Sequence, residues 1–294
     1  MDHHTPIQIF GEVLFDNFQD GSRVLGGAPF NVAWHLQAFG LAPNFISRIG
    51  NDLPGQEISN LMASWGMLQS GLQTDNAHAT GSVQVQLING EPHYEIVTNS
   101  AYDFIDAEAL NPLATEGILY HGTLALRNSS SLAALNTLKS RHHGPIFIDV
   151  NLRSPWWDTN QLIPLLADAT WVKLNVAELY ALGFQDPNLE TAMQAFHSQF
   201  GLQLLILTQG EKGAVVCDAQ QGFHSLPPTA NNTMVDTVGA GDAYAAVTVL
   251  GLSQQWPLST TLTRAQAFAS AIVGQHGATV PHQEFYQAFL ESWA

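Results

Sequence analysis

A glycine-rich segment that ends in a carboxylate leads into a predicted alanine-rich helix between Val235 and Ala246. Backbone N–H groups at a helix N-terminus point in one direction and carry the positive end of the helix dipole, which favours phosphate oxygens. Gly239 and Gly241 let the chain approach such an anion closely. Asp242 follows at once, and its carboxylate could accept a proton from a hydroxyl that attacks the bound phosphate. The alternative is that Asp242 only complements the positive end of the helix.

A second glycine-rich segment, from Gly26 to Leu36, leads into another predicted helix. Gly26 and Gly27 permit a close backbone approach, and Asn31 could hydrogen-bond a polar group near the helix start. Asp16 follows an earlier predicted strand and could accept two hydrogen bonds from a polyol. Turn formation by Asp16 and helix capping by Asn31 are the simpler alternatives.

The composition indicates a globular protein rather than a disordered or membrane-spanning one. The 294 residues are 46% hydrophobic, which is enough for a substantial core in one large domain or two small ones. No apolar run reaches the roughly 18 residues that span a bilayer, and the first six residues do not resemble a signal peptide. The single cysteine, Cys217, cannot form an internal disulfide, which fits a reducing compartment. We therefore expect a cytoplasmic protein.

The charge balance excludes two classes of partner. The formal net charge is −16, and the chain has only nine lysines and arginines. Nucleic acids and anionic membrane surfaces bind clustered cations, so neither is an expected partner. If the substrate is an anion, backbone N–H groups, a metal ion and a few basic residues must supply the positive field.

Short apolar runs alternate with helix-like stretches along the chain. The predicted strands cover residues 7–10, 44–46, 117–120, 145–148, 171–174 and 204–207. The predicted helices cover residues 29–39, 53–65, 129–140, 188–200, 240–252 and 259–275. Because strand and helix alternate, the sequence predicts an α/β fold with a mostly parallel central sheet flanked by helices.

Residues 80–97 break this pattern and predict a β-hairpin. Apolar residues alternate with polar ones on both sides of Asn89 and Gly90, a pair suited to a tight turn. A lone hairpin is marginal in water, so it should pack on the body, on the strand after Gly11, or on a second copy of itself. We interpret it as a small β lid, with a merely decorative hairpin as the alternative. Its exposed edge also suggests a homodimer formed through the lid.

The two glycine-rich segments, from Gly26 to Ala33 and from Asp236 to Asp242, resemble the two signatures of the ribokinase-like (PfkB) carbohydrate kinases in order and separation. The resemblance extends over about residues 7–280 and includes Arg48 to Gly55, Asp149 to Arg153, Asn175 to Glu178, and Thr208 to Gly213. It implies one ribokinase-like kinase domain over residues 1–294, with a lid formed by about 12–25 and 76–103. It also implies ATP-dependent phosphorylation of a sugar hydroxyl.

The resemblance assigns the reaction chemistry to the second signature. Asp242 matches the catalytic base, and Gly239, Ala240 and Gly241 match a backbone anion hole for the transferring phosphoryl group. Asn175 and Glu178 match an N-x-x-E element that orders Mg²⁺ through its waters. Their simpler interpretation as a helix cap and capping box is compatible with that role.

The resemblance also assigns ligand contacts. The implied sugar-binding residues are Asp16, Gly26, Gly27, Asn31 and Arg153, and the implied nucleotide-binding residues are Lys173, Thr208, Gly210 and Gly213. A surface position is the alternative for Arg153, which follows a strand end where open α/β sheets bind ligands. A monovalent cation such as K⁺ is expected beside the anion hole, between the loops around Asp236 and around 271–279.

The identity of the sugar stays open at this point. Tyr120 to Leu126 resembles the strand end of bacterial fructokinases and favours a ketohexose, whereas Ser154 to Trp157 departs from their usual spacing. A 2-keto-3-deoxygluconate kinase or a nucleoside kinase of the same family is the alternative enzyme. A different class is a catalytically silent ATP- or sugar-binding sensor, against which the intact Gly239 to Asp242 segment argues. The chain lacks the G-x-x-x-x-G-K-[ST] and G-x-G-x-x-G spacings of Walker-type NTPases and dinucleotide-binding dehydrogenases.

Overall fold

The computed structural model describes residues 5–88, 91–111, 115–227 and 238–294. Within these ranges the strands are β1 (Ile7–Phe10), β2 (Leu14–Phe18), β3 (Arg23–Gly26), β4 (Asn44–Gly50), β5 (Leu72–Asp75), β6 (Gly81–Ile88), β7 (Glu91–Ile96), β8 (Ile118–His121), β9 (Ile146–Asp149), β10 (Trp171–Asn175), β11 (Leu204–Thr208), β12 (Ala214–Asp218) and β13 (Phe223–Leu226). The α-helices are α1 (Ala28–Ala38), α2 (Leu53–Ser64), α3 (Ser129–Lys139), α4 (Thr159–Ala167), α5 (Val176–Ala181), α6 (Leu189–Phe200), α7 (Ala240–Ser253), α8 (Leu258–Ile272) and α9 (Gln283–Trp293).

Nine strands form the central sheet, in the order β13-β12-β11-β10-β9-β8-β1-β4-β5. Neighbours from β11 to β5 pair in parallel, and β12 and β13 add an antiparallel edge. All six predicted strands lie in this sheet, and the predicted fold class is confirmed. Because consecutive parallel strands end at one edge, the loops after β1, β8, β9, β10 and β11 come together there.

Two apolar layers hold the helices against the sheet. Buried residues such as Phe30, Met62, Ala246 and Phe268 join one face to α1, α2, α7, α8 and α9. The other face packs on α3, α4, α5 and α6 through a separate buried cluster. Helix α7 is apolar around its whole circumference, and residues 243–251 are all buried. Contacts on every side hold such a helix in place, so its N-terminus has a fixed position.

The remaining strands form a four-stranded sheet in the order β3-β2-β6-β7. Strands β6 and β7 pair antiparallel, which confirms the predicted hairpin, while its turn residues 89–90 lie outside the described ranges. Strand β6 pairs in parallel with β2, the strand that follows Gly11, as expected for one of the packing alternatives. One face of this small sheet packs on a cluster that contains Leu14, Val83 and Tyr102. We call it the lid sheet, and its movement remains a prediction.

Across the ranges given above, no α-helix combines the length and apolar character that a membrane crossing requires.

Candidate active site

The N-terminus of α7 is built on a glycine that no other residue could replace without strain. Gly239 is the N-cap and has a left-handed φ of 81°, and a Cβ there would overlap the Cα of Ala278. No side chain in the described part of the chain caps this helix start. The first N–H groups of α7, at Ala240, Gly241 and Asp242, therefore have no partner within the helix and can bind an anion.

Asp242 lies in the first turn of α7 and is half-buried. The Asn31 side-chain amide on α1 donates a hydrogen bond from Nδ2 to Asp242 Oδ2 at 2.7 Å. Burial raises the pKa of Asp242 to about 6, and the charge of Asp149 adds to this, while Asn31, Lys173 and Arg153 oppose it. The carboxylate is thus a stronger base than an exposed aspartate and is still largely ionised at neutral pH.

The start of α1 packs closely against the residues that follow β1. Gly27 is the N-cap of α1 with a φ of 109°, and a Cβ there would lie 2.6 Å from the Glu12 carbonyl oxygen. A Cβ at Gly11 would overlap the Pro29 ring. Asn31 is buried in the next turn and reaches Asp242 from this position. The two glycine-rich segments are therefore joined at one site, although their hydrogen-bonding side chains are 211 positions apart in the chain.

Asp16 and Arg153 lie near this junction. Asp16 is half-buried on β2, and its Oδ2 lies 3.7 Å from where a Cβ on Gly26 would be. Burial raises the pKa of Asp16 to about 6, and the positive charge of Arg153 opposes that rise. Arg153 is exposed in the loop after β9, and its charge also acts on Asp242. The charge of Arg153 thus acts on two carboxylates, and all three groups are suited to hydrogen bonds with hydroxyl groups.

A buried ion pair lies beside the start of α7. Lys173 Nζ on β10 donates to Asp149 Oδ1 at 2.9 Å and to Oδ2 at 2.8 Å, and the Tyr120 hydroxyl donates to Asp149 Oδ2 at 3.1 Å. A Cβ on Gly241 would lie 3.4 Å from the same Lys173 Nζ. Burial alone would lower the pKa of Lys173, but Asp149 outweighs this effect and raises it. Lys173 is therefore a fixed cation beside the helix start.

Asn175 and Glu178 form the capping box of α5. The backbone N–H of Glu178 donates to Asn175 Oδ1 at 2.9 Å, and that of Asn175 donates to Glu178 Oε2 at 2.8 Å. The other Glu178 oxygen accepts the Leu152 N–H at 2.8 Å. Burial raises the pKa of Glu178. The described residues contain no cluster of three or more His, Cys, Asp or Glu side chains suited to direct metal binding.

A cavity of about 470 Å³ opens where β10 and β11 end. Asn175 and Thr208 are paired in the sheet register and lie on its wall, together with Gly210. The rest of the wall is formed by Val176, Ala177, Tyr180, Leu189, Gln209 and Lys212. Gly213 lies outside the wall, but its N–H donates to the Gly210 carbonyl at 3.0 Å and closes the turn. The cavity combines polar strand ends with an apolar side, as nucleotide sites do.

Residues 8–284 match the family model described as pfkB family carbohydrate kinase. The chain belongs to this family. It is 32% identical over 262 residues to a fructokinase of Klebsiella pneumoniae, covering 84% of each chain. It superposes with a TM-score of 0.82 on a fructokinase from Vibrio cholerae O395 in fructose, ADP and calcium ion bound form, at 26% identity and 98% and 100% coverage. A double mutant of that enzyme in fructose, ADP and potassium ion bound form superposes with a TM-score of 0.83, at 25% identity and with 99% coverage of both chains.

The protein is therefore a PfkB sugar kinase, a phosphotransferase with an alcohol as acceptor, and its fold is ribokinase-like. The structure brings together Asp16, Gly26, Gly27, Asn31 and Arg153 around Asp242 and the N-terminus of α7. It groups Asn175, Thr208 and Gly210 in the neighbouring cavity. Their catalytic and binding roles in this PfkB kinase remain predictions.

For three polar residues near the site, the sequence predicted no role. Tyr120 and Asp149 complete the network of Lys173, and Glu12 is buried directly after β1. Asp149 could have been found, because a carboxylate at the end of an apolar strand needs a partner. Glu12 carries the same signal, since it follows β1 by two residues.

Proposed function

We propose that this PfkB kinase transfers the γ-phosphoryl group of ATP to a hydroxymethyl group of a fructose-like ketohexose. The observation that carries the proposal is the hydrogen bond between Asn31 and Asp242 at the open N-terminus of α7. This bond connects Asn31, the proposed polyol-binding residue, to Asp242, the proposed base, beside a helix N-terminus that can bind an anion. The named relatives are fructokinases, and the Vibrio cholerae enzyme is in a fructose- and ADP-bound form, which supports the ketohexose.

In this mechanism Asp242 removes the proton from the attacking sugar hydroxyl. Asp16, Asn31 and Arg153 orient the sugar, and Gly26 and Gly27 let it approach the backbone. The N–H groups of Gly239, Ala240 and Gly241 bind the phosphoryl oxygens as charge develops on them. Positioning and fixed dipoles supply most of the rate, because phosphoryl transfer requires little other chemistry from the protein.

The nucleotide is proposed to bind along the ends of β10 and β11. Thr208, Gly210 and Gly213 form the turn that it contacts, and Lys173 adds a fixed positive charge near its phosphates.

The proposed metal is Mg²⁺, held through its waters by Asn175 and Glu178. Both Glu178 oxygens accept backbone N–H groups, whereas the Asn175 side chain is exposed, so contact through water fits these residues better than direct ligation. When bound, Mg²⁺ would neutralise charge on the phosphates. A monovalent cation such as K⁺ beside the anion hole is also proposed, although one of its two loops, around Asp236, lies outside the described residues.

A comparison of Asp242→Asn with the wild type tests the proposed base. We expect ATP binding by calorimetry to persist while turnover with fructose falls about 100- to 10,000-fold, the usual contribution of a general base. Glu190→Gln is a matched control, because Glu190 is an exposed acid in the first turn of another helix, α6. If Asp242 only complements the helix dipole, both variants will keep nearly full turnover, and the assignment is wrong.

A sugar panel with coupled ADP detection tests the substrate. Fructose should give the highest kcat/KM, above 2-keto-3-deoxygluconate and nucleosides. A higher value for either of these replaces the proposed substrate, and binding without ADP formation across the panel identifies a silent sensor.

The free edges and exposed apolar residues of the lid sheet are the basis for a proposed homodimer. Phe18, Val24 and Tyr94 are 38%, 38% and 54% exposed although they share a face with the buried Val83 and Val85, and β3 and β7 are the two edges of the sheet. Exposed sheet edges with apolar side chains favour pairing with a second chain. Light scattering of the full chain should give twice the monomer mass, and a strict monomer contradicts the proposal.

A further inference from the structure

Glu12 is a buried carboxylate next to the proposed sugar site, and one of its oxygens is unpaired. Only 3% of the residue is exposed, and Oε2 has no hydrogen-bond partner among the residues that the structure describes. Buried polar atoms in folded proteins nearly always have a partner, so an unpaired carboxylate oxygen calls for a physical explanation. A ligand that donates a hydrogen bond would provide one.

The backbone contacts of Glu12 fix it against the sugar-binding helix. Its carbonyl oxygen lies 2.6 Å from where a Cβ on Gly27 would be, and Gly27 is the N-cap of α1. The same helix carries Asn31, whose Oδ1 is a second buried acceptor without a partner in the described ranges, while its Nδ2 binds Asp242. Both unpaired acceptors belong to residues that interact with the base, since Asn31 is hydrogen-bonded to Asp242 and the charge of Asp242 acts on Glu12.

The charged groups around Glu12 belong to the same site. Burial raises the pKa of Glu12 to about 7 and the charge of Asp242 adds to the rise, while backbone hydrogen bonds from Glu12 itself and from Ala125 and the charge of Arg153 oppose it. The charge of Glu12 in turn acts on Tyr102 and Arg127, at the base of the lid sheet. Near neutral pH the carboxyl exists in both forms, and either form can bind a hydroxyl, as acceptor or as donor.

Two other buried carboxylates of the described residues have both of their oxygens paired. Glu178 is also buried, and both of its oxygens accept backbone N–H groups, from Leu152 and Asn175. Asp103 likewise binds Arg127 through both oxygens, at 2.7 and 2.8 Å. In contrast to these examples, Glu12 keeps one carboxyl oxygen, Oε2, without a partner among the described residues, and this oxygen is the one that a ligand could bind.

We propose that Glu12 is a further specificity-determining residue of this kinase, and that its free carboxyl oxygen binds one sugar hydroxyl other than the one phosphorylated. The ligand class is a polyol with at least two hydroxyl donors near the reacting alcohol, one for Glu12 and one for Asn31. The inference rests on the proposed sugar kinase function. It adds a residue that selects the sugar by one particular hydroxyl.

The test combines Glu12→Gln with fructose and a series of monodeoxyfructoses. With fructose, we expect the variant to lose about 10- to 100-fold in kcat/KM, mainly through the KM for the sugar, as for a lost hydrogen bond to a charged group. The KM for ATP should not change. With the one deoxy analogue that lacks the bound hydroxyl, wild type and variant should have the same kcat/KM, because the contact is absent in both.

A loss of equal size for every analogue, or no loss with fructose, overturns the proposal. Thermal unfolding checks that the variant folds. If Glu12→Gln does not fold, Glu12→Asp, which keeps the carboxylate but withdraws it by one methylene, is measured on the same series and should give the same analogue pattern. If the wild type forms no ADP with any sugar, the proposed function fails instead, so the two failures are distinguishable.

Discussion

Replacing Asn31 by Leu should move the acid limb of the pH profile for kcat/KM to higher pH. The Asn31 amide donates a hydrogen bond of 2.7 Å to Asp242, and this bond stabilises the ionised form of the carboxylate. It is one of the effects that hold the pKa of Asp242 at about 6 against burial. Without it, the charged form loses a partner, so the pKa of Asp242 rises.

The expected shift is large enough to measure. A hydrogen bond to a charged group contributes about 1.5–3 kcal/mol, and 1.36 kcal/mol corresponds to one pKa unit, so the pKa should rise by about 1–2 units. With a pKa near 6, about nine-tenths of Asp242 is ionised at pH 7, and with a pKa near 7.5 about a quarter is. Activity at pH 7 should therefore fall about fourfold from ionisation alone, and it should recover as the pH rises.

The assay is kcat/KM for the sugar from pH 5 to 9, by coupled ADP release, because this ratio reports the free enzyme. The position of the limb is the readout, since Asn31→Leu also removes a proposed sugar contact and lowers the plateau. Gln37→Leu is the matched control on the same helix, because the Gln37 side chain lies near Gly66, away from Asp242. A limb that stays at the wild-type pH, or moves lower, refutes this account of the base.

Two further predictions concern the support of the anion site. Asp149→Asn should destabilise the protein by about 3–5 kcal/mol in urea unfolding, because Lys173 loses its buried counter-charge, whereas the double variant Asp149→Leu with Lys173→Met should recover most of that loss. An equal loss in both would contradict the ion-pair explanation. Gly239→Ala should lower kcat about 100-fold or more, since its Cβ would overlap Ala278 and displace the anion-binding N–H groups. Gly40→Ala is the control, with a φ of 86° and no atom within 4 Å of the added Cβ, and equal kcat losses would exclude displacement as the cause.

The sequence predicted the elements that are buried on both faces. Strands such as β1 and β9 are continuous apolar runs, which is the pattern that a central parallel strand requires. The missed strands lie in the lid sheet, at the edges β5 and β13 of the central sheet, or in β12 beside β13. Strands β3 and β13 each have two exposed residues in four, so neither has an apolar run to detect. Among the described strands, each of them pairs only with the preceding one, β3 with β2 and β13 with β12.

The site shows the same division between local and distant contacts. The capping box of Asn175 and Glu178 was predictable, because three residues of spacing fix its geometry. The network of Tyr120, Asp149 and Lys173 takes one residue from each of three neighbouring strands, and only the register of the sheet aligns them. No local pattern in the sequence contains that register.

The charge balance at the site explains why the proposed metal and the backbone must both take part. Lys173 is the fixed cation nearest the start of α7, but its charge is matched by Asp149, so the pair supplies little net positive field. Arg153 is the other cation, and it faces Asp16 and Asp242. The described charged side chains of the site are therefore more negative than positive before a polyanionic triphosphate binds. Binding that anion then depends on the N–H groups at Gly239 to Gly241 and on a divalent cation carried with the nucleotide, which is the arrangement proposed for this kinase.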